Sequence, residues 1–118
     1  MKLFSFIFLL ITISTVSHAQ VTYLYPVHFT NLHIEKQDAK MAYMDVKPDH
    51  PNKKSVILFH GKNFNGYYWK DVIKALTEKG YRVIVPDQVG WGRSDKPDLH
   101  YSFHMLASNN KKLLVHFI

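Results

Sequence analysis

The sequence predicts an α/β domain with a mainly parallel sheet, and three observations carry that expectation. Val56-Ile57-Leu58-Phe59 is an unbroken apolar run, as in a strand covered on both faces. Val72, Ile73 and Leu76 then mark one face of a helix. Tyr81 to Asp87 returns as a second buried strand, and strand, helix, strand in that order belongs to a parallel sheet with helices packed on it.

The chain has 118 residues, room for one small domain. Its first residues are expected to lie outside that domain. Lys2 supplies a positive start, Phe4 to Ile13 form an apolar run, and Ser17 and Ala19 place small side chains ahead of Gln20. Residues 1–19 therefore read as a cleavable secretory signal peptide and residues 20–118 as the domain. A spanning helix needs about 20 apolar residues, and Thr12, Ser14, Thr15 and Ser17 interrupt this run. The expectation is an exported protein, periplasmic or secreted, with no stable membrane anchor after cleavage.

Without that leader the chain loses only Lys2, keeping 14 of its 15 basic residues against 9 acidic ones, a net charge of +5. The basic residues are scattered singly or in pairs such as Lys53-Lys54 and Lys111-Lys112. That distribution argues for a solvated basic surface and against a nucleic-acid partner. There is no cysteine, which excludes disulfides, thiolate metal sites, a cysteine nucleophile and a lipidated cysteine. A domain of about a hundred residues must then fold on its core alone.

In chain order, Val27, Phe29, Leu32 and Ile34 suggest a first strand, imperfectly alternating, and Lys40 to Pro48 a second. Gln37-Asp38-Ala39 is expected to turn one into the other as a hairpin. Asp49 to Lys54 is a polar loop. After the run Ser55 to Gly61 comes the helix entered at Trp69 and stopped at Gly80. Gln88 to Asp98 is a loop punctuated by Gly and Pro, and Phe103, Leu106, Ala107, Leu113, Leu114 and Phe117 lie at helical spacing beyond it.

The pair "LFHGKNFNGYYW" and "GYRVIVPDQVGWGRSDKP" resembles the N-terminal third of an α/β-hydrolase, over roughly residues 25–118. The resemblance implies an incomplete α/β-hydrolase fold: an N-terminal hairpin, two buried parallel strands and two helices, lacking the C-terminal half of the sheet. It also implies that the turn after His60-Gly61 supplies half of an oxyanion hole. The donor would be the backbone N–H of Lys62, with Gly61 and Asn63 lining the substrate pocket. An acyl carbonyl becomes an anion when a nucleophile adds to it, and one fixed N–H aimed at that oxygen is worth roughly 3–4 kcal/mol. A glycine at position 61 is expected to let the chain turn sharply without a Cβ clash.

His60 stands where the family has a structural residue, its triad histidine lying near the C-terminus. Gly92-Arg93-Ser94 begins like the nucleophile elbow Gly-x-Ser-x-Gly, but Lys96 occupies the place of the second glycine and no strand leads directly into Ser94. Ser94 and Asp95 are expected to bond local backbone amides. Asp87, Gly90 and Gly92 belong to the same structural loop. Lys62 departs from the commoner small or apolar residue and brings a cation to the pocket mouth.

His100 and His104 are four apart, spaced for one helical face, but no acidic third ligand matches them. His28 and His33, five apart on a strand, point to opposite faces. Tyr67, Tyr68 and Trp69 are expected to pack the helix onto the sheet. No metal or cofactor is expected.

No Gly-x-Ser-x-Gly occurs in the chain, and no acid–histidine pair follows one. The expectation is the N-terminal fragment of an exported hydrolase, using a nucleophile–His–acid triad whose members lie beyond it. It would be inactive alone, since loss of the nucleophile costs on the order of 10⁶ in turnover. Its partner would be a small-molecule substrate in the full-length parent, and its exposed sheet edge would invite self-association. Two alternatives stand beside this: a small exported binding module derived from a hydrolase, and one chain of a split two-chain enzyme.

Overall fold

The computed structural model describes residues 21–117, so the leader expected over residues 1–19 lies outside the described residues. Strands β1 (Val27–Ile34) and β2 (Gln37–Val46) are followed by β3 (Ser55–Ile57), helix α1 (Lys70–Glu78), β4 (Arg82–Pro86) and helix α2 (Phe103–Leu114). Short 3-10 turns at Gly66–Trp69 and Val115–Phe117 precede α1 and follow α2. The sheet runs β1-β2-β4-β3 among the described residues. β3 and β4 form the expected parallel pair. The β1–β2 and β2–β4 pairings are antiparallel, so the described portion is a mixed sheet.

The hairpin turns two residues earlier than expected. Ile34 pairs with Gln37, and Glu35 and Lys36 between them both take positive φ, 46° and 66°. Left-handed φ at both central residues is the condition for a tight two-residue hairpin. Gln37, Asp38 and Ala39 are already strand. Phe29 is 53% exposed, on the face opposite Leu32 and Ile34.

Side-chain alternation along β2 divides the core between two faces. Met41 packs with Leu32, Ile34, Val89 and with Leu113 of α2. Met44 packs with Val83, Val85 and with Ile73 of α1. The two helices thus cover opposite faces of the sheet. Burying a side chain such as Ile73 stabilises by about 1.5–3 kcal/mol, and it is wholly buried here.

Helix α1 ends where expected. Gly80 has φ 84°, its N–H donates to Thr77 O and Tyr81 N–H donates to Leu76 O, which closes the last turn in the Schellman manner. In the aromatic turn before α1, Trp69 packs onto the core while Tyr68 is 62% exposed. That corrects the expectation that all three aromatic residues pack on the sheet.

Two further expectations are corrected. Val56, Ile57 and Leu58 are only half-buried and Phe59 is exposed. The cause is that β3 ends the described sheet, paired with β4 on one side only. On α2, Phe103 is 94% exposed and Ala107 is exposed, whereas Asn109, Asn110 and Leu113 are buried. Ser102 caps that helix by accepting from Met105 N–H, which turns two asparagines inward. His100 precedes α2, so it shares no helix face with His104.

Arg82 donates from both Nε and its terminal amine to the two oxygens of Asp45, each at 2.7 Å, tying β4 to β2. Those bonds hold the Asp45 carboxyl below the usual carboxylate range, against the opposing effect of burial. Folding therefore favours the ionised form. Its contribution is fully present above the ordinary aspartate pKa of about 3.9 and is lost as pH falls through the lowered value. Asp45→Asn is expected to flatten the acid limb of a plot of urea midpoint against pH, the wild type losing its advantage as pH falls through the lowered Asp45 value.

Candidate functional site

The site is built at the C-terminal ends of the parallel strands, and Asp87 organises it. This carboxylate, 2% exposed, follows β4 and accepts three hydrogen bonds. Gly66 N–H donates to Oδ1 at 2.6 Å, while Tyr23 Oη–H and Arg93 N–H donate to Oδ2 at 2.6 and 2.7 Å. One side chain thus joins the segment before β1, the turn before α1 and the loop after β4. Burial and the Asp87 contact push the Tyr23 phenol pKa far above its ordinary value, and the Arg93 guanidinium lies over the Tyr23 ring at 4.8 Å.

The loop after β4 is fastened residue by residue. Ser94 Oγ donates to Asp87 O and accepts from Ala42 N–H at 2.8 Å. Asp95 Oδ2 accepts from Lys40 N–H at 2.7 Å, and Asp95 N–H donates back to Lys40 O. Ser94 and Asp95 therefore bond amides of β2, more than fifty residues away, rather than the local amides expected. Gly92 has φ 54°, and a Cβ there would overlap the Asp87 carboxylate. Gly90 has φ 100°, and its Cβ would lie 2.5 Å from the Tyr101 ring. Both positions require glycine.

His60 is buried with both ring nitrogens engaged. Nε2 accepts from Gln88 N–H at 2.9 Å, so Nδ1 carries the proton and donates to Gly61 O at 2.9 Å. Gln88 returns a bond from its side-chain amide to His60 O at 2.8 Å, and Asn110 of α2 donates to Gln88 Oε1 at 3.2 Å. This amide bridge was not found in the sequence reading. Buried asparagine on a helix gives no signal in apolar spacing.

After His60 the chain makes a four-residue turn closed by Phe64 N–H to Gly61 O at 3.1 Å. Lys62 and Asn63 are its central residues, and Asn63 takes φ 69°, the conformation that the third position of a type II turn needs. The left-handed residue is therefore Asn63, not Gly61. A Cβ at Gly61 would meet only Phe64 Cδ2, at an ordinary 3.7 Å. The expected steric need for glycine there is thus corrected.

The turn opens onto a cleft of about 770 Å³. His60, Gly61 and Lys62 line one wall, with Gln88 and Trp91 beside them. Pro97, Tyr101, Phe103 and Leu106 make the other side largely apolar. Asn63 is not among the lining residues. Lys96, also at the cleft, holds its ammonium on Gly92 O and Ser94 O at 2.9 and 3.3 Å. Tyr101 donates to Pro97 O at 2.8 Å, and burial, then the nearby Asp98 carboxylate, raises its phenol pKa. Ser102 Oγ caps α2.

A sequence profile described as alpha/beta hydrolase fold matches residues 54–116. The chain belongs to that family. The hairpin, the β3/β4 parallel pair and the two helices are an incomplete version of the hydrolase fold. Curated relatives include a cis-3-alkyl-4-alkyloxetan-2-one decarboxylase of Xanthomonas campestris, 41% identical over 49% of this chain and 18% of that protein. A haloalkane dehalogenase of Mycolicibacterium paratuberculosis is 39% identical over 56% of this chain and 23% of its own length. Among solved structures, a probable hydrolytic enzyme from Pseudomonas aeruginosa superposes with a TM-score of 0.78 at 43% identity, covering 81% of this chain and 31% of that one. The chain thus spans under a quarter of these curated relatives and about a third of that structure.

Proposed function

We propose that this hydrolase chain is the N-terminal part of an exported enzyme of ester or amide hydrolysis, and that the Lys62 backbone N–H is one of its two oxyanion donors. The observation that carries the reading is the state of the groups around the cleft. The Ser94 hydroxyl, both His60 nitrogens and the Asp87 carboxylate are each bound to backbone groups, while the turn at 61–62 faces the open volume. A nucleophile needs a free hydroxyl beside a base. These residues instead shape a rigid loop around a backbone donor. The export part rests on Lys2, the apolar run after it and the small residues Ser17 and Ala19.

The acyl carbonyl would lie at the Lys62 turn, with its chain along the apolar side of Pro97, Tyr101 and Leu106. Serine attack, proton transfer by histidine and the second oxyanion donor would come from the rest of the hydrolase unit. The chain alone is expected to hydrolyse an activated aryl ester no faster than buffer does. Turnover that co-purifies with the chain, and is blocked by a serine-directed phosphonate, would overturn this reading.

A further inference from the structure

A second concavity, of about 380 Å³, lies at the opposite end of the sheet, where β3 and β4 begin. Lys47, Lys53, Lys54 and Arg82 line it together with Ser55 and Gly80, and no acidic side chain does. Arg82 is neutralised by its paired bonds to Asp45. The three lysines take part in none of the ion pairs among the described residues.

The loop that presents them is held in place. Asn52 N–H donates to Gly80 O, its side-chain amide donates to Lys79 O, and its Oδ1 accepts from Lys54 N–H. Those bonds occupy the Lys79 and Gly80 carbonyls just past the end of α1 and fix the loop against that turn. Lys53 sits at φ 64°, a conformation unfavourable for a residue with a Cβ. Three like charges around one pocket, on a loop fixed before any ligand arrives, form a site that a multivalent anion would relieve.

We propose that this cleft binds a phosphate group, inorganic or esterified, at a site separate from the hydrolase cleft. Lysine ammoniums suit phosphate as point charges, and the proposal does not rest on the hydrolytic reading.

The test is calorimetric titration of the full chain with inorganic phosphate at constant ionic strength. Saturable one-to-one binding is expected, weakened about tenfold or more by the double change Lys53→Gln and Lys54→Gln. Paired Arg substitutions at these positions should restore it, and Lys111→Gln with Lys112→Gln on α2 should leave it unchanged. Circular dichroism of each variant separates lost binding from lost fold. Flotation with phosphatidic acid vesicles distinguishes the sources. Capture competed by free phosphate points to a lipid headgroup, and phosphate binding without capture points to a soluble ligand. No saturable phosphate binding, or equal weakening by the α2 pair, overturns the proposal.

Discussion

Asp87→Ala is expected to destabilise the domain by about 2 kcal/mol or more, because a buried donor left without an acceptor costs about 1–3 kcal/mol and two part-buried donors add to it. Three donors lose their acceptor together: Tyr23 Oη–H, Gly66 N–H and Arg93 N–H. They come from three separate segments, so the substitution releases the turn that carries α1, the loop after β4 and the segment before β1 at once. Asp87→Asn should fall between, since its amide accepts at one oxygen but brings donors into a place already full of them. Urea midpoints with unchanged slopes would measure both effects. A loss below about 1 kcal/mol for Asp87→Ala would mean that water satisfies the three donors, and the hub role would fail.

The second large effect is kinetic. Lys62 occupies the second position of a four-residue turn whose left-handed residue is Asn63. Proline is favoured at that position of a type II turn. Lys62→Pro therefore removes the N–H with little change to the backbone, while Lys62→Ala removes the cation and keeps the N–H. In an active hydrolase unit the first change should lower kcat about 10²–10³-fold, the range found when one oxyanion donor is lost. The alanine variant should stay within about threefold, because no transition-state contact is lost.

Much of the fold was legible because its signals are local. The strand after Tyr81 shows its burial in composition, the run at Val56 shows a strand but not the exposure of its free edge, and Gly80 marks its helix end. The hairpin turn was misplaced because Glu35-Lys36 carries none of the Asn-Gly chemistry that announces such a turn. The face of α2 was misread because its buried side chains include Asn109 and Asn110, which apolar spacing cannot register. In the site, the geometry of Asp87, Gly92 and Ser94 follows a motif with fixed spacing. The bonds linking Tyr23 to Asp87 and Asn110 to Gln88 span 64 and 22 residues. No local pattern encodes such pairs.

The most direct test of the central claim is made in a chimera. Residues 21–117 replace the matching segment of the Pseudomonas aeruginosa hydrolytic enzyme, which they superpose on with a TM-score of 0.78. Steady-state kinetics are then measured on an activated ester chosen by first screening the unaltered Pseudomonas aeruginosa protein for turnover. The account predicts a chimera active with Lys62 or Lys62→Ala and about 10²–10³-fold lower in kcat with Lys62→Pro, with KM little changed. A Lys62→Pro chimera that keeps its kcat would show that the oxyanion is held elsewhere.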